Sequence, residues 1–286
     1  MGLRTGLLIL LSNILLSAWA APQAVVDAVQ MPAWLDRGGR VLPLTPGLEV
    51  KSGDRLRTGA GARATLKLPE GSIVKLGESA QMTYQMEPAP SIFTAALDVV
   101  TGAFRFTTAA LQKLRKRNVS IQVGTATIGI RGTDVWGKSD KGSDLVMLIE
   151  GHVEVTPAVG EAFELKEPMA VFNAPKGGPA APITLATLDA YKARARETDI
   201  WPGDGTARRG GRWSLLLGSV ADQRSALELY DQARQAGFAA RIRPQRAAAG
   251  ELHFDVLLPG YASQAEAAAA ATRVKASLAI DATPVH

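Results

Sequence analysis

Cysteine is absent from the 286-residue chain, which removes disulfide cross-links, thiolate metal sites, cysteine nucleophiles and a lipid-modified N-terminal cysteine together. Histidine is nearly absent. His152, His253 and His286 are scattered without metal-ligand spacing, so each reads as a surface or strand histidine. Neither HExxH nor G-x-S-x-G occurs, and the reading is of no catalytic residues, no metal and no cofactor. A pair of carboxylates across a cleft is the hydrolytic arrangement that 27 acidic residues leave open. Long apolar runs are missing too: past residue 20 nothing approaches the roughly 20 residues that span a bilayer.

What the chain has is apolar material in short pieces. Hydrophobic residues make up 47% and charged residues 21%, a composition that builds packed cores and excludes disorder over the full length. Its 28 glycines and 16 prolines favour strands joined by turns over a helical bundle. The formal charge of +5 invites a nucleic-acid reading, but the excess is diffuse. Residues 21–160 hold 16 Lys/Arg against 13 Asp/Glu, residues 161–211 hold 7 against 7, and residues 212–286 hold 8 against 7. The one dense run, Lys113, Arg115, Lys116 and Arg117, reads as a solvated face or connector rather than a phosphate-binding patch.

The N-terminus carries an address. Arg4 precedes an uncharged stretch centred on Leu7 to Leu16, which is the length of a signal-peptide core and short for a membrane span. Ala18-Trp19-Ala20 supplies the small-x-small cleavage pattern, so residues 1–20 read as a signal peptide. A retained anchor is the alternative, because the next charge is Asp27; Asn13, Ser17 and Pro22 weigh against it. Export places the mature chain in the periplasm of a Gram-negative envelope, without ATP, without a nucleic-acid partner and without stable membrane insertion.

Two segments imitate nucleotide motifs. Gly132 to Ser139 spells the phosphate-loop pattern G-x-x-x-x-G-K-S. A phosphate loop must feed a helix whose N-terminal amides hold the anion, yet a turn, Asp140 to Asp144, and then an apolar run follow. Gly59 to Ala64 imitates a dinucleotide fingerprint, but Ala64, Leu66 and Leu68 alternate with polar residues, which is strand period. The same period-two runs recur at intervals through residues 38–156, with turn residues between, and predict a β-sandwich, jelly roll or β-helix-like barrel. A short helix is expected near residues 107–117.

The order of the pieces from Gly47 to Tyr84, Leu97 to Phe106, Val123 to Lys138 and Leu148 to Val155 resembles the FecR-type domain. The segment Gly129, Arg131, Gly132, Thr133 and Asp134 looks like that family's most recognisable stretch, in which Glu often stands last. Its residues fit a structural role: Gly132 permits positive φ in a tight turn, and Asp134 can accept backbone hydrogen bonds. The resemblance implies a β scaffold in the envelope, without the membrane span and anti-sigma segment of the signalling members.

Prolines and glycines from Thr156 to Gly211 mark a connecting region. Within it one helix is expected, with Leu185, Leu188 and Tyr191 on one face and Thr184 or Thr187 as cap. The stretch from Trp201 to Gly211 is the candidate flexible boundary.

The last 75 residues contain a repeat. The segments starting at Leu215 and at Val256 align without a gap at an offset of 41. Each reads as strand, turn, capped helix, strand, with Asp222 as one cap and Ser263 with Glu266 as a capping box. Leu227, Tyr230 and Ala233 form a buried helical stripe that Gly237 ends. The expected fold is βαββαβ, a ferredoxin-like four-stranded sheet with both helices on one face. The pattern Trp213-x-Leu215-x-Leu217-Gly218-Ser219, then Phe254-x-Val256-x-Leu258-Pro259-Gly260-Tyr261-x-Ser263-x-x-Glu266-Ala267, resembles the SPOR domain. That resemblance implies binding of septal peptidoglycan glycan strands stripped of stem peptides, and so a link to cell division. Strand parity sends Ser214, Leu216, Arg241, Arg243, His253, Asp255 and Leu257 to the face away from the helices. Leu216 and Asp255 stand where the family commonly has Gln and Arg. The face suits a sugar with its polar rim, and equally a docked protein.

The expected chain is therefore multi-domain: signal peptide 1–20, FecR-like all-β domain 21–175, linker with one helix 176–211 and α+β SPOR-like domain 212–286. The function implied is non-enzymatic: peptidoglycan binding through the C-terminal domain, with the β domain presented for ligand or partner recognition. The alternative is an envelope signalling or scaffold protein whose β domain meets a receptor or regulator and whose C-terminal domain docks protein. A peptidoglycan hydrolase is the third reading. Cleavage after Ala20 predicts that protein recovered from the envelope begins at Ala21; an intact N-terminus by mass spectrometry would support the retained anchor.

Overall fold

A computed structural model describes residues 23–87, 92–108, 116–130, 132–246 and 250–286. The signal segment, Lys113, Arg115 and Arg131 lie outside these. The β-rich half opens with β1 (Ala24–Gln30), β2 (Ala33–Arg37), β3 (Arg40–Pro43), β4 (Glu49–Val50), β5 (Arg55–Thr58), β6 (Arg63–Lys67), β7 (Ile73–Leu76) and β8 (Gln81–Glu87). It continues with β9 (Ile92–Thr107), β10 (Lys116–Val123), β11 (Ala126–Ile130), β12 (Asp134–Ser139), β13 (Ser143–Glu150), β14 (Val153–Thr156), β15 (Phe163–Leu165), β16 (Ala170–Pro175) and β17 (Thr184–Leu185). One sheet runs β15-β14-β11-β10-β9-β8-β5-β2-β3. The other runs β17-β16-β13-β12-β9-β7-β6-β1.

Strand β9 belongs to both sheets. Thr94 to Thr101 pair with β8, and Gly102 to Thr107 pair with β12. The crossing falls at Gly102, whose φ is +88°; a Cβ there would lie 2.4 Å from Ala80 Cα, so only glycine fits. Along β9, Phe93, Ala95, Leu97 and Val99 are buried while Thr94, Ala96 and Asp98 turn outward. Burying each large apolar side chain is worth roughly 1.5–3 kcal/mol. A one-residue slip would expose the whole set, so burial specifies register.

The helix expected near residues 107–117 meets strand at both ends, since β9 runs through Thr107 and β10 starts at Lys116; the rest of that stretch lies outside the described residues. The expected N-terminal domain also gains an element past its 175 boundary, because Ala170 and Val171 pair with Leu185 and Thr184 of β17.

Helix α1 (Leu188–Thr198) follows, capped by Thr187, whose Oγ1 accepts from Ala190 N at 3.2 Å. Its buried face differs from the expected one: Leu185 is 62% and Leu188 58% exposed. The helix docks through Tyr191, packed on a small cluster of Ala103, Trp136, Met147 and Val171, and through Arg194, whose guanidinium lies 5.4 Å from the Trp136 ring. Its C-terminal carbonyls are capped from the sheet, since Arg63 donates to the carbonyls of Arg196 and Glu197 at 2.9 and 3.1 Å. The sheet thus holds this helix by its last turn.

The stretch expected to be a flexible boundary forms ordered contacts. It contains β18 (Ala207–Arg208), which pairs with β1 on one side. Beyond it come β19 (Trp213–Val220), α2 (Gln223–Gln235), β20 (Arg241–Arg246), β21 (Leu252–Tyr261), α3 (Gln264–Leu278) and β22 (Thr283–Val285). Ala207 pairs with Tyr261 of β21, so one hydrogen-bonded surface passes from the sandwich into the C-terminal sheet. That sheet has the order β22-β19-β21-β20, the ferredoxin-like arrangement expected.

Asp222 and Ser263 cap the two helices, accepting from Ser225 N at 3.0 Å and Glu266 N at 3.2 Å. Two details depart from expectation. Of the expected stripe Ala233 is buried and Tyr230 packs against the core, but Leu227 is 44% exposed; Ala226 is buried and Leu229 packs beside it. Glu266 does not close the capping box; its carboxylate accepts from Gly203 N at 2.6 Å and Thr206 N at 2.8 Å, amides of the preceding connector.

Two glycines separate steric need from its absence. Gly129 in β11 has an ordinary φ, and nothing lies within 4 Å of its Cβ position. Gly102→Ala should destabilise the protein by about 2 kcal/mol or more, whereas Gly129→Ala should be neutral or stabilise it by about 0.5–1 kcal/mol. Thermal unfolding of the two variants side by side checks the contrast.

Candidate functional site

The candidate site is the face of the C-terminal sheet opposite its helices. Antiparallel register decides which side chains share it, because residues directly opposite one another point the same way. Leu257 is paired with Leu216 on one side and Arg241 on the other, and Leu216 also faces Thr283. Asp255 stands between Ser219 and Arg243. His253 is opposite Gln245, and Ser214 is opposite Pro259 and Val285. All seven expected residues therefore fall on one surface.

Sequence parity misses part of it. The register shifts between Leu216 and Gly218, so Leu217 is an extra residue that turns into the core, and Ser219 joins the outer face. The run of three leucines before Gly218 is the sequence signal, since a strand with one wet face cannot alternate through it. Thr283 and Gln245 join the face as well.

Leu257 and Asp255 point to the outer face yet are only 5% and 9% exposed. They lie on the inner strand β21, between β19 and β20. The Asp255 carboxylate is reached by the Arg243 guanidinium at 3.4 Å and by His253 Nε2 at 3.8 Å, so it is screened by its own neighbours. Arg241 remains exposed. The result is a half-sunken apolar centre, Leu216 with Leu257, beside a polar and net-positive margin. Such a face can pack the apolar side of a sugar ring and donate hydrogen bonds to its hydroxyls.

The sandwich reaches the C-terminal domain from the other side. Ala33 N donates to Gly237 O at 3.0 Å, Trp34 Nε1 to Gln235 O at 3.1 Å and Arg273 Nε to Met31 O at 2.9 Å. These contacts fall at the end of α2 and on α3. The sheet face stays uncovered by them.

The second sequence-predicted group, around Gly129, lies on the sandwich. Gly132 has φ +74°, as a tight turn requires. Thr133 is buried, and its carbonyl accepts from Thr108 N and Oγ1, both at 3.0 Å. Asp134 accepts from a side chain rather than the backbone expected: Arg105 donates to both its oxygens at 2.8 Å. Arg105 also approaches Asp199, just past α1, at 3.3 Å, and this acidic surrounding, Asp134 first, raises the guanidinium's pKa further.

The phosphate-loop mimic is strand β12 followed by a hairpin, and its Lys138 pairs with Glu197 at 3.1 Å. Ser139 Oγ and Lys176 Nζ lie 3.4 Å apart, the spacing of a serine–lysine nucleophile. The fully buried Asp144 decides against it. It accepts from Lys176 Nζ at 2.5 Å, Ser139 Oγ at 2.7 Å, and Thr125 N and Oγ1 at 2.9 and 2.7 Å, which engages the lysine and occupies the hydroxyl. Among the described residues, no group of three or more His, Asp or Glu is placed to hold a metal, and no helix is long and apolar enough to cross a membrane.

Comparison with known proteins identifies both parts. Residues 54–154 match the FecR protein family and residues 209–285 match the SPOR domain. Two crystal structures of a candidate anti-sigma factor from Parabacteroides distasonis, at 1.65 and 2.50 Å, are 16% identical to this chain with a TM-score of 0.40. The matches cover 79% of this chain and 92% and 91% of those chains. No curated protein matches this chain.

Burial pushes the Asp144 carboxyl up, but the hydrogen bonds from Lys176, Ser139 and Thr125 outweigh it and hold its pKa below the usual 3.8. A folded-state pKa below the unfolded one stabilises the protein above the unfolded value, and this is lost as pH falls through the folded value. Asp144→Asn should therefore be less stable than wild type at pH 7. It should also lose less stability between about pH 4 and pH 2 in urea titrations.

Proposed function

We propose that this chain, an FecR domain joined to a SPOR domain, is a non-enzymatic periplasmic protein that binds peptidoglycan glycan strands and presents its FecR domain to a ligand or envelope partner. The two families are non-catalytic, and peptidoglycan is the partner that SPOR domains bind. The single observation that carries the reading is the C-terminal sheet face. Its apolar centre and cationic margin lie opposite the helices, where the sandwich docks. A glycan strand without stem peptides offers uncharged ring faces and hydroxyls, which match Leu216 and Leu257 beside Arg241, Arg243 and Ser219. The departures at Leu216 and Asp255 make the centre more apolar and the middle strand more acidic than the family pattern implies.

Signalling or scaffolding through a protein on the same face is the second reading. It draws on the same exposed arginines, and one assay separates the two. The protein should pellet with purified sacculi, more strongly after an amidase has removed the stem peptides. Leu216→Asp should weaken this at least tenfold, equivalent to about 1.4 kcal/mol. Absence of pelleting with either preparation would end the glycan reading, and a clear band on a sacculus zymogram would end the non-enzymatic one.

A further inference from the structure

A concave space lies between the two domains and borders the sheet face at Arg241. It is an open hollow of about 640 Å³, and its walls come from different domains. Leu42 and Pro43 of β3, with Thr45 and Leu48 beyond, form one wall; Leu227, Tyr230 and Arg234 of α2 form the other, closed by Ala239 to Ile242 at the start of β20. We propose that this cleft docks an acidic segment of a partner protein through a large apolar anchor residue.

Charge is the first argument. Arg234 is the charged side chain on the α2 wall, Arg241 stands where the cleft meets the margin of the sheet face, and no carboxylate lines the cleft, so an acidic segment is favoured and a basic one repelled. Shape and chemistry are the second. Leu227 stays 44% exposed on a helix that buries alanines beneath it, and it faces the half-buried Leu42 and Leu48 across the cleft. Tyrosine and arginine on the cleft wall are residue types enriched at interface anchor sites.

A sugar is the poorer occupant. The Arg234 guanidinium lies 5.1 Å from the Tyr230 ring and takes the ring face on which a sugar would stack. Preorganisation is the third argument. Both walls are held by the same interdomain hydrogen bonds, so the occupant does not have to assemble its site.

The test uses the full chain and a phage-displayed library of random twelve-residue peptides. Enriched peptides should combine Asp or Glu with Leu, Phe or Trp. Synthesised and labelled, they should bind at least tenfold more weakly to Leu227→Asp and to Arg234→Glu. Leu252→Asp, an exposed leucine at the far end of β21, should bind them as wild type does. Circular dichroism and melting confirm folding, and Arg234→Gln replaces any variant that fails. Leu227→Asp should still pellet with sacculi, which keeps this proposal separable from the glycan reading. Peptides without the acidic and apolar pattern, no enrichment, or binding indifferent to Leu227 and Arg234 would overturn it.

Discussion

Two charged side chains of α3 hold the connector between the domains, and the relation of every other part follows from them. Glu266 accepts from the amides of Gly203 and Thr206, and Arg273 donates to the carbonyls of Gly205 and Met31. Hydrogen bonds to charged groups contribute roughly 1.5–3 kcal/mol each. An exposed ion pair such as Lys275 with Asp281 contributes about 0–1 kcal/mol. The clamp therefore outweighs surface electrostatics. With it in place Ala207 lies between β1 and β21 and extends the sandwich into the second domain as hydrogen-bonded strand.

Packing at the far end of the interface has a steric condition. A Cβ on Gly237 would come within 2.6 Å of the Trp34 ring, and the residue also needs φ +86° to end α2. One glycine thus serves as helix stop and as the seat of the tryptophan. Because the sandwich approaches from the helix side, the sheet face stays open, and the interdomain cleft adjoins it at Arg241.

Inside the sandwich, the acidic end of the recognisable motif joins three elements. Asp134 at the start of β12 binds Arg105 of β9, which reaches Asp199 past α1, and Lys75 of β7 bonds Asp199 at 2.6 Å. Asp134 is paired in full, so its part is to anchor the helix end to the sheet. Asp144 does the equivalent for the β12–β13 hairpin. Its pocket explains Gly124, since a Cβ there would lie 2.1 Å from Asp144 Oδ1.

Local periodicity was enough to read the β-runs, the turn glycines, the ferredoxin-like repeat with its caps, and the seven residues of the sheet face, because each rests on neighbours close in sequence. Readings that depended on distant partners failed. Leu188 and Leu227 look buried on a helical wheel, but α1 is held by Tyr191 and its C-terminal turn, and the core under α2 is filled by alanines. Glu266 fits a capping box until the connector's amides compete for it. The Trp201 to Gly211 stretch has the composition of a hinge, but Ala207 and Arg208 within it pair with β1, and Ala207 with β21, as a short strand. Ser219, which strict alternation would turn inward, reaches the outer face because a bulge at Leu217, visible only in the register with β21, takes up one residue. The sequence alone determined which segments alternate and where they turn, since side-chain period and backbone φ are local properties. Which faces stay wet, how the domains sit and where a cleft remains were decided by tertiary structure, because burial belongs to whatever packs from elsewhere in the chain.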